Sequence, residues 1–128
     1  LCLGIGDTIR VSLTADPVRE VYAARDLLAA IGLQQDRVRF VSCPTCGRCK
    51  VDLFRVAEDA EQALANVNKN IKVAIMGCVV NGPGEAADAD IGIAGGDGEF
   101  LLFAKGKPLY KVSPEGGTAA LLEEIEKL

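Results

Sequence analysis

Two cysteine loops, each placed directly after a predicted strand, constrain this chain more than any other feature. Cys43 and Cys46, in a Cys-Pro-Thr-Cys turn, follow the predicted strand Arg37–Val41, and Cys78 follows the short apolar run Ile71–Met76. If both strands lie parallel in one sheet, both loops leave at the same edge, where open α/β sheets bind ligands. A tight turn of this spacing lets two thiolates converge on one metal or cluster. We therefore predict that the three cysteines share one site.

The cysteine spacing is compatible with three kinds of chemistry. A cluster held by three cysteines leaves one iron open to substrate or to a weaker ligand. A closed zinc site needs four ligands, which Cys49 would complete. A redox dithiol needs its cysteine pair at a helix N-terminus, whereas the residues around Pro44 are typical of a strand and a turn. The five cysteines are an odd number with close spacing, so we expect reduced thiols and a cytoplasmic protein rather than a disulfide framework.

Four polar residues are further candidates for the site. Glu85 lies in a glycine-rich loop after Cys78, where a carboxylate would be a hard, exchangeable ligand or simply a solvated acid. Asn81 begins an Asn-Gly-Pro-Gly turn, whose backbone can approach a ligand closely. Arg10 and Ser12, two apart on a predicted strand, would share one face and suit phosphate oxygens, or else form a surface pair.

The hydrophobic pattern predicts the element order β-α-β-α-β-β-β-β-α. The first strand is Thr8–Leu13, and Asp16 followed by Pro17 begins a helix that Gly32 ends. The later elements are a helix that Asp52 caps and that runs to Val67, a strand at Ile91–Ala94, a hairpin of Phe100–Ala104 and Leu109–Val112, and a final helix from Ser113. We expect a β-α unit at residues 1–36 joined to a compact α+β module at residues 37–128.

Composition excludes several classes of function. The formal net charge of −4 disfavours general binding of nucleic acid or of anionic membranes. No run of about 20 apolar residues is present to span a bilayer. The chain contains no histidine, which excludes Ser-His and Cys-His nucleophiles within it. It opens on Leu1 without a basic segment or signal peptide, and we expect it to be a piece of a longer protein.

The cysteine motifs resemble one enzyme family, the 4-hydroxy-3-methylbut-2-enyl diphosphate synthases. Residues 41–48 read Val-Ser-Cys-Pro-Thr-Cys-Gly-Arg, and residues 76–86 read Met-Gly-Cys-Val-Val-Asn-Gly-Pro-Gly-Glu-Ala. Residues 4–13 and 91–96 match the same family. The resemblance covers nearly the whole chain and is weakest after residue 105.

The resemblance implies a fold and a set of ligands. The full enzyme would combine an N-terminal TIM barrel with a [4Fe–4S] domain like that of sulfite and nitrite reductases. Residues 1–36 would be the last strand and helix of the barrel, and residues 37–128 the cluster domain. Cys43, Cys46 and Cys78 match the family's cysteine ligands, and Glu85 matches its fourth ligand. Cys49 lies outside this ligand pattern.

The resemblance also implies a reaction in the non-mevalonate isoprenoid pathway. Ferredoxin or flavodoxin would supply electrons for the reductive dehydroxylation and ring opening of 2-C-methyl-D-erythritol 2,4-cyclodiphosphate. Arg10 and Ser12 match residues that hold the substrate diphosphate, Asn81 matches a loop residue that faces the substrate, and Glu85 would give way to a substrate oxygen. The family further implies a homodimer, and the isolated chain, lacking the rest of the barrel, should be inactive.

Overall fold

The chain folds as two compact units, Leu1–Arg37 and Val38–Leu128. The structure is a computed structural model and describes residues 1–80, 84 and 86–128. The division falls one residue beyond the boundary expected from the sequence. Within the described residues, no helix has the length and apolar character needed to cross a membrane.

The first unit contains one helix, α1, at Pro17–Ala30. The Asp16 carboxylate caps its N-terminus by accepting a 2.8 Å hydrogen bond from the Val18 amide. Proline suits the first helical position because its missing N–H would have no partner inside the helix. Gly32, with φ of 76°, turns the chain away after the helix. The predicted helix is therefore confirmed together with the residues that begin and end it.

The predicted strand Thr8–Leu13 is wrong for this structure, because residues 8–13 adopt no regular secondary structure. A strand needs a neighbouring strand to receive its backbone hydrogen bonds, and no strand forms in the first unit as described. The apolar face of α1 is also left open, with Val18 57% and Val21 56% exposed. A unit of this size cannot build a core large enough to bury such a face.

The second unit is a mixed α/β fold built on a five-stranded sheet. Its strands lie side by side in chain order, with β1–β3 parallel and β4 and β5 antiparallel. The strands are β1 at Arg39–Ser42, β2 at Lys72–Met76, β3 at Ile91–Gly95, β4 at Phe100–Ala104 and β5 at Lys107–Val112. The helices are α2 at Leu53–Leu64 and α3 at Gly117–Glu126, the latter preceded by a 3₁₀ turn at Pro114–Gly116.

Apolar residues cover both faces of the sheet. On one face, α2 and α3 pack against alternate residues of the central strands, and the core residues there are Leu53, Ala60, Leu64, Ile71, Val73, Ile75, Ile91, Ile93, Phe100, Leu102, Leu121 and Ile125. On the other face, the turn around Ala86 and Ala89 packs against Ala74, Met76, Ala94 and Phe103. Because both faces are buried, β2 and β3 read as continuous apolar runs rather than alternating ones.

The hairpin after β4 is tighter than the sequence suggested. Strand β5 begins at Lys107 instead of Leu109, so that Lys105 and Gly106 alone form the turn, with φ of 48° and 72°. Positive φ at both positions is the backbone that two-residue hairpin turns require. Pro108 is tolerated within β5 because this strand lies at the edge of the sheet.

Candidate metal centre

The two cysteine loops leave the same edge of the sheet. Strands β1 and β2 are parallel neighbours, and Ser42 at the end of β1 is opposite Ile75 in β2. Cys43 follows β1 directly, and Gly77 and Cys78 follow β2. The parallel arrangement expected from the sequence is thus present, and it places both loops at the carboxyl ends of adjacent strands.

Gly77 joins the two loops by its backbone. Its N–H donates a hydrogen bond to Cys43 Sγ at 3.3 Å, and its carbonyl oxygen accepts one from the Lys50 amide at 2.9 Å. The Cys43 sulfur therefore lies beside the residue that directly precedes Cys78. An amide N–H directed at a cysteine sulfur is a feature that tunes iron–sulfur sites.

The three predicted cysteine ligands differ in exposure. Cys78 is buried, with 5% of its surface exposed, Cys43 is half-buried and Cys46 is exposed. All three are free thiols. A hydrogen bond from the Arg48 backbone, followed by one from the Arg48 side chain, lowers the pKa of the Cys46 thiol. A lowered pKa favours the thiolate, which is the form that binds metals.

Cys49 lies at the same junction. Its Sγ donates to the Val51 carbonyl oxygen at 3.2 Å and lies 2.6 Å from the point that a Cβ on Gly77 would occupy. Its backbone N–H donates to the Cys46 carbonyl oxygen at 2.9 Å, which closes the turn of the first cysteine loop. Cys49 thus contacts the second loop, although the family resemblance assigns it no role.

Two of the sequence candidates, Asn81 and Glu85, lie outside the described residues. Within residues 1–80, 84 and 86–128, no group of three or more His, Cys, Asp or Glu side chains is arranged to hold a metal ion. Among the described residues, the two cysteine loops are joined by the hydrogen bond between Gly77 and Cys43, and Cys46 is exposed. The predicted ligand set of three cysteines and Glu85 therefore stays a prediction.

Arg10 and Ser12 lie in the first unit and are both exposed. Their side chains would share one face only on the predicted strand Thr8–Leu13, which does not form here. Their assignment to a substrate diphosphate depends on the family resemblance alone and stays a prediction.

The donor set agrees in kind with an iron–sulfur cluster. Soft thiolates are the usual ligands of such clusters, and two loops at one sheet edge carry the free thiols of Cys43, Cys46 and Cys78. The Gly77 amide already donates to one of these sulfurs. The residue types present therefore fit a cluster, although the described cysteines are not arranged around a common point.

Comparison with known protein families identifies the family to which the chain belongs. Residues 39–127 match the model of the GcpE protein C-terminal domain. The chain belongs to the GcpE family. The matched region comprises nearly all of the second unit, including the strand ends that carry the cysteines.

The GcpE relatives share a name and a high identity with this chain. The proteins from Clostridium acetobutylicum, Clostridium tetani and Geobacter sulfurreducens are 56%, 55% and 54% identical to it over 125, 128 and 125 residues, which is 98%, 100% and 98% of this chain. Each is named 4-hydroxy-3-methylbut-2-en-1-yl diphosphate synthase (flavodoxin). The family resemblance seen in the cysteine motifs is confirmed. The chain spans 36%, 37% and 35% of the length of these relatives.

Sequence reasoning overlooked the part that glycines play in this GcpE domain. Gly77 and Gly95, at the ends of β2 and β3, both lie under the segment Cys49–Val51. The available signal was a glycine directly after each of two apolar strands, which indicates close backbone approach. The pattern alone did not reveal which segment approaches.

Proposed function

We propose that this chain is the iron–sulfur domain of a 4-hydroxy-3-methylbut-2-enyl diphosphate synthase. The observation that carries the proposal is the hydrogen bond from the Gly77 amide to Cys43 Sγ, which joins two cysteine loops at one sheet edge. Similarity to relatives of that name supports the choice of enzyme.

The proposed ligands are Cys43, Cys46 and Cys78, with Glu85 as a fourth, oxygen-donating ligand. A [4Fe–4S] cluster held there would supply one-electron transfer and a Lewis-acidic iron. Thiolates bind iron tightly, whereas a carboxylate exchanges more readily. The role proposed for Glu85 is therefore to occupy the fourth position until substrate arrives.

The proposed substrate is 2-C-methyl-D-erythritol 2,4-cyclodiphosphate. With two electrons and two protons it would give 4-hydroxy-3-methylbut-2-enyl diphosphate and one water, because the ring C–O bond to the diphosphate and one C–OH bond break and a C=C bond forms. Arg10 and Ser12 would hold the diphosphate, as a guanidinium and a hydroxyl suit phosphate oxygens. Asn81 would face the substrate.

The rest of the proposal concerns the longer protein. Residues 1–36 would be the final strand and helix of a TIM barrel, and residues 37–128 a domain like that of sulfite and nitrite reductases. The exposed apolar face of α1, including Val18 and Val21, is the kind of surface that further strands and helices would cover. We propose a cytoplasmic homodimer that receives electrons from flavodoxin, the donor in the relatives' names, or from ferredoxin.

A structural zinc site is the second candidate. It is favoured by the position of Cys49, whose Sγ lies at the junction with Gly77 and could join Cys43, Cys46 and Cys78 in a closed four-cysteine site. The hydrogen bond that the Cys49 thiol donates to the Val51 carbonyl oxygen argues against a zinc site, because a zinc ligand would have to give up that hydrogen bond.

Anaerobic metal analysis separates the two candidates. The full-length protein that carries this chain is purified without oxygen, reconstituted with iron and sulfide, and assayed for iron, sulfide and zinc. We expect a brown protein with about four irons and four sulfides per chain. A colourless protein that holds zinc tightly and takes up no sulfide would overturn the reductase assignment.

A further inference from the structure

The segment Cys49–Val51, here called the crossing segment, lies across the carboxyl ends of β2 and β3. The Cys49 sulfur lies against the Cα of Gly77, and the Val51 side chain lies against that of Gly95, where an added Cβ would meet Val51 methyls at 2.8 and 2.9 Å. Between them, the Lys50 amide donates to the Gly77 carbonyl oxygen. The crossing segment belongs to the first cysteine loop, and the residues below it belong to the strands that lead to the second.

Three groups of Gly77 hold parts of the first loop at once. The N–H donates to Cys43 Sγ at 3.3 Å, the carbonyl oxygen accepts from Lys50 at 2.9 Å, and the bare Cα leaves room for Cys49 Sγ. Each contact is short-range, so a shift of this residue by an ångström would break more than one of them. Because Cys78 directly follows Gly77 in the chain, the hydrogen bond from Gly77 to Cys43 Sγ also constrains where Cys78 lies relative to Cys43.

We propose that Gly77 and Cys49 are positioning residues that set Cys43 and Cys78 in place before a cluster binds. This inference rests on the proposed function. Cys49 then acts by the packing of its side chain rather than as a ligand. Gly77 acts because it has no side chain to displace Cys49. Residues that orient metal ligands without touching the metal commonly change metal affinity by about 10- to 100-fold when they are replaced.

The contact is suited to a test because the three atoms nearest to a Cβ added at Gly77 all belong to side chains. A Cβ there would lie 2.6 Å from Cys49 Sγ, but 3.4 Å from Cys49 Cβ and 3.5 Å from Leu53 Cδ2. Removing the sulfur with Cys49→Ala therefore clears the space. At Gly95, in contrast, the Gly77 carbonyl oxygen lies 2.9 Å from the added Cβ, and backbone cannot be trimmed away.

The experiment uses the full-length protein with four variants, Gly77→Ala, Cys49→Ala, the double variant and Gly47→Ala. Gly47 is the matched control, since it lies in the same loop and an added Cβ there meets nothing within 4 Å. After anaerobic reconstitution, we measure iron content, the rate of iron loss to a chelator, the reduction potential of the cluster and the thermal unfolding of the metal-free protein.

We expect Gly77→Ala to lose iron about tenfold faster than wild type and to shift the reduction potential, because its amide no longer meets Cys43 Sγ in the same geometry. Cys49→Ala should bind as much iron as wild type but release it at a rate between those of wild type and Gly77→Ala, because the packing of its sulfur is lost. The double variant should return to within about twofold of the release rate of Cys49→Ala. Gly47→Ala should match wild type in every measurement.

The outcomes distinguish this inference from the function on which it rests. If wild type takes up no iron and sulfide, the proposed function fails. If wild type binds a cluster and Gly77→Ala binds it with the same release rate and potential, the positioning role is wrong. Loss of the cluster in Cys49→Ala would make Cys49 a ligand and overturn the inference, as would failure of Cys49→Ala to rescue Gly77→Ala.

Discussion

The Phe103 ring lies across the Cα of Gly92. A Cβ on Gly92 would meet the ring tip at 2.5 Å and the Ala74 carbonyl oxygen at 2.6 Å. Phe103 is fully buried, and the two residues are paired in the register of β3 and β4. The second face of the sheet therefore closes over a position where only a residue without a side chain fits.

The variant Gly92→Ala should destabilise the second unit by about 1–3 kcal/mol, the usual cost of overpacking a close-packed core. The measurement is urea unfolding monitored by circular dichroism, in which the urea concentration at the midpoint of unfolding should fall. Gly47→Ala is the control, because an added Cβ there meets no atom within 4 Å. Equal midpoints for the two variants would show that the Phe103 ring and the Ala74 backbone can both move aside without cost.

Much of the second unit could be predicted because its signals are local. Asp52 caps α2 through the Arg55 amide, as the sequence indicated. The buried strands β2 and β3 were recognisable as short apolar runs. The strand predicted at Thr8–Leu13 does not form. Alternation of polar and apolar residues describes a single segment, whereas a β-strand also needs a neighbouring strand that receives its hydrogen bonds.

Only the part of the site that follows from the order and direction of the strands could be predicted. Placing Cys43 and Cys78 at one edge required only that β1 and β2 be parallel neighbours, which they are. The contact of Cys49 with Gly77 depends on how the crossing segment lies over the strand ends, and no local pattern encodes that path. Long-range packing of this kind has no periodic signal to read.

Removing single cysteines should identify the ligands. Cys43→Ala, Cys46→Ala and Cys78→Ala should each lose most of the iron that wild type binds after anaerobic reconstitution, because each removes one thiolate. Alanine suits buried Cys78 because it stays apolar. Cys2→Ala is the control, since Cys2 is an exposed thiol of the first unit.

Iron content and visible absorption measure the outcome of the cysteine series. A normal iron content in Cys46→Ala would contradict the ligand assignment of that exposed residue. Normal content in all three variants would leave the cluster without its proposed ligands.

Replacing Glu85 should separate cluster binding from turnover. In the full-length protein, Glu85→Cys should keep its iron but lose activity by about tenfold or more, because a thiolate holds iron too firmly to give way to substrate. The measurements are iron content and reduction of the cyclodiphosphate with reduced flavodoxin. Glu58→Gln, on the exposed face of α2, is the control. Wild-type turnover in Glu85→Cys would refute the exchange role.

The contact between Glu124 and Lys127 should make stability depend on pH. The Glu124 carboxylate accepts from Lys127 Nζ at 2.6 Å and from the Tyr110 hydroxyl at 3.1 Å. The hydrogen bond from Lys127, above all, lowers the pKa of Glu124 below its ordinary 4.5, and the same bond raises the pKa of Lys127 above 10.5. The contribution of Glu124 is therefore complete above 4.5 and is lost as pH falls through its folded pKa, while that of Lys127 is complete below 10.5 and is lost as pH rises through its own.

Thermal unfolding of wild type and Glu124→Gln checks this dependence. Wild type should unfold at a higher temperature near neutral pH, and the two midpoints should converge as the pH falls below 4.5. The gap should be small and should shrink in high salt, since the pair lies at the surface. Glu123→Gln, one residue away and exposed, controls for the loss of one negative charge. A gap that persists unchanged into acid would mean that Glu124 acts by packing rather than by its charge.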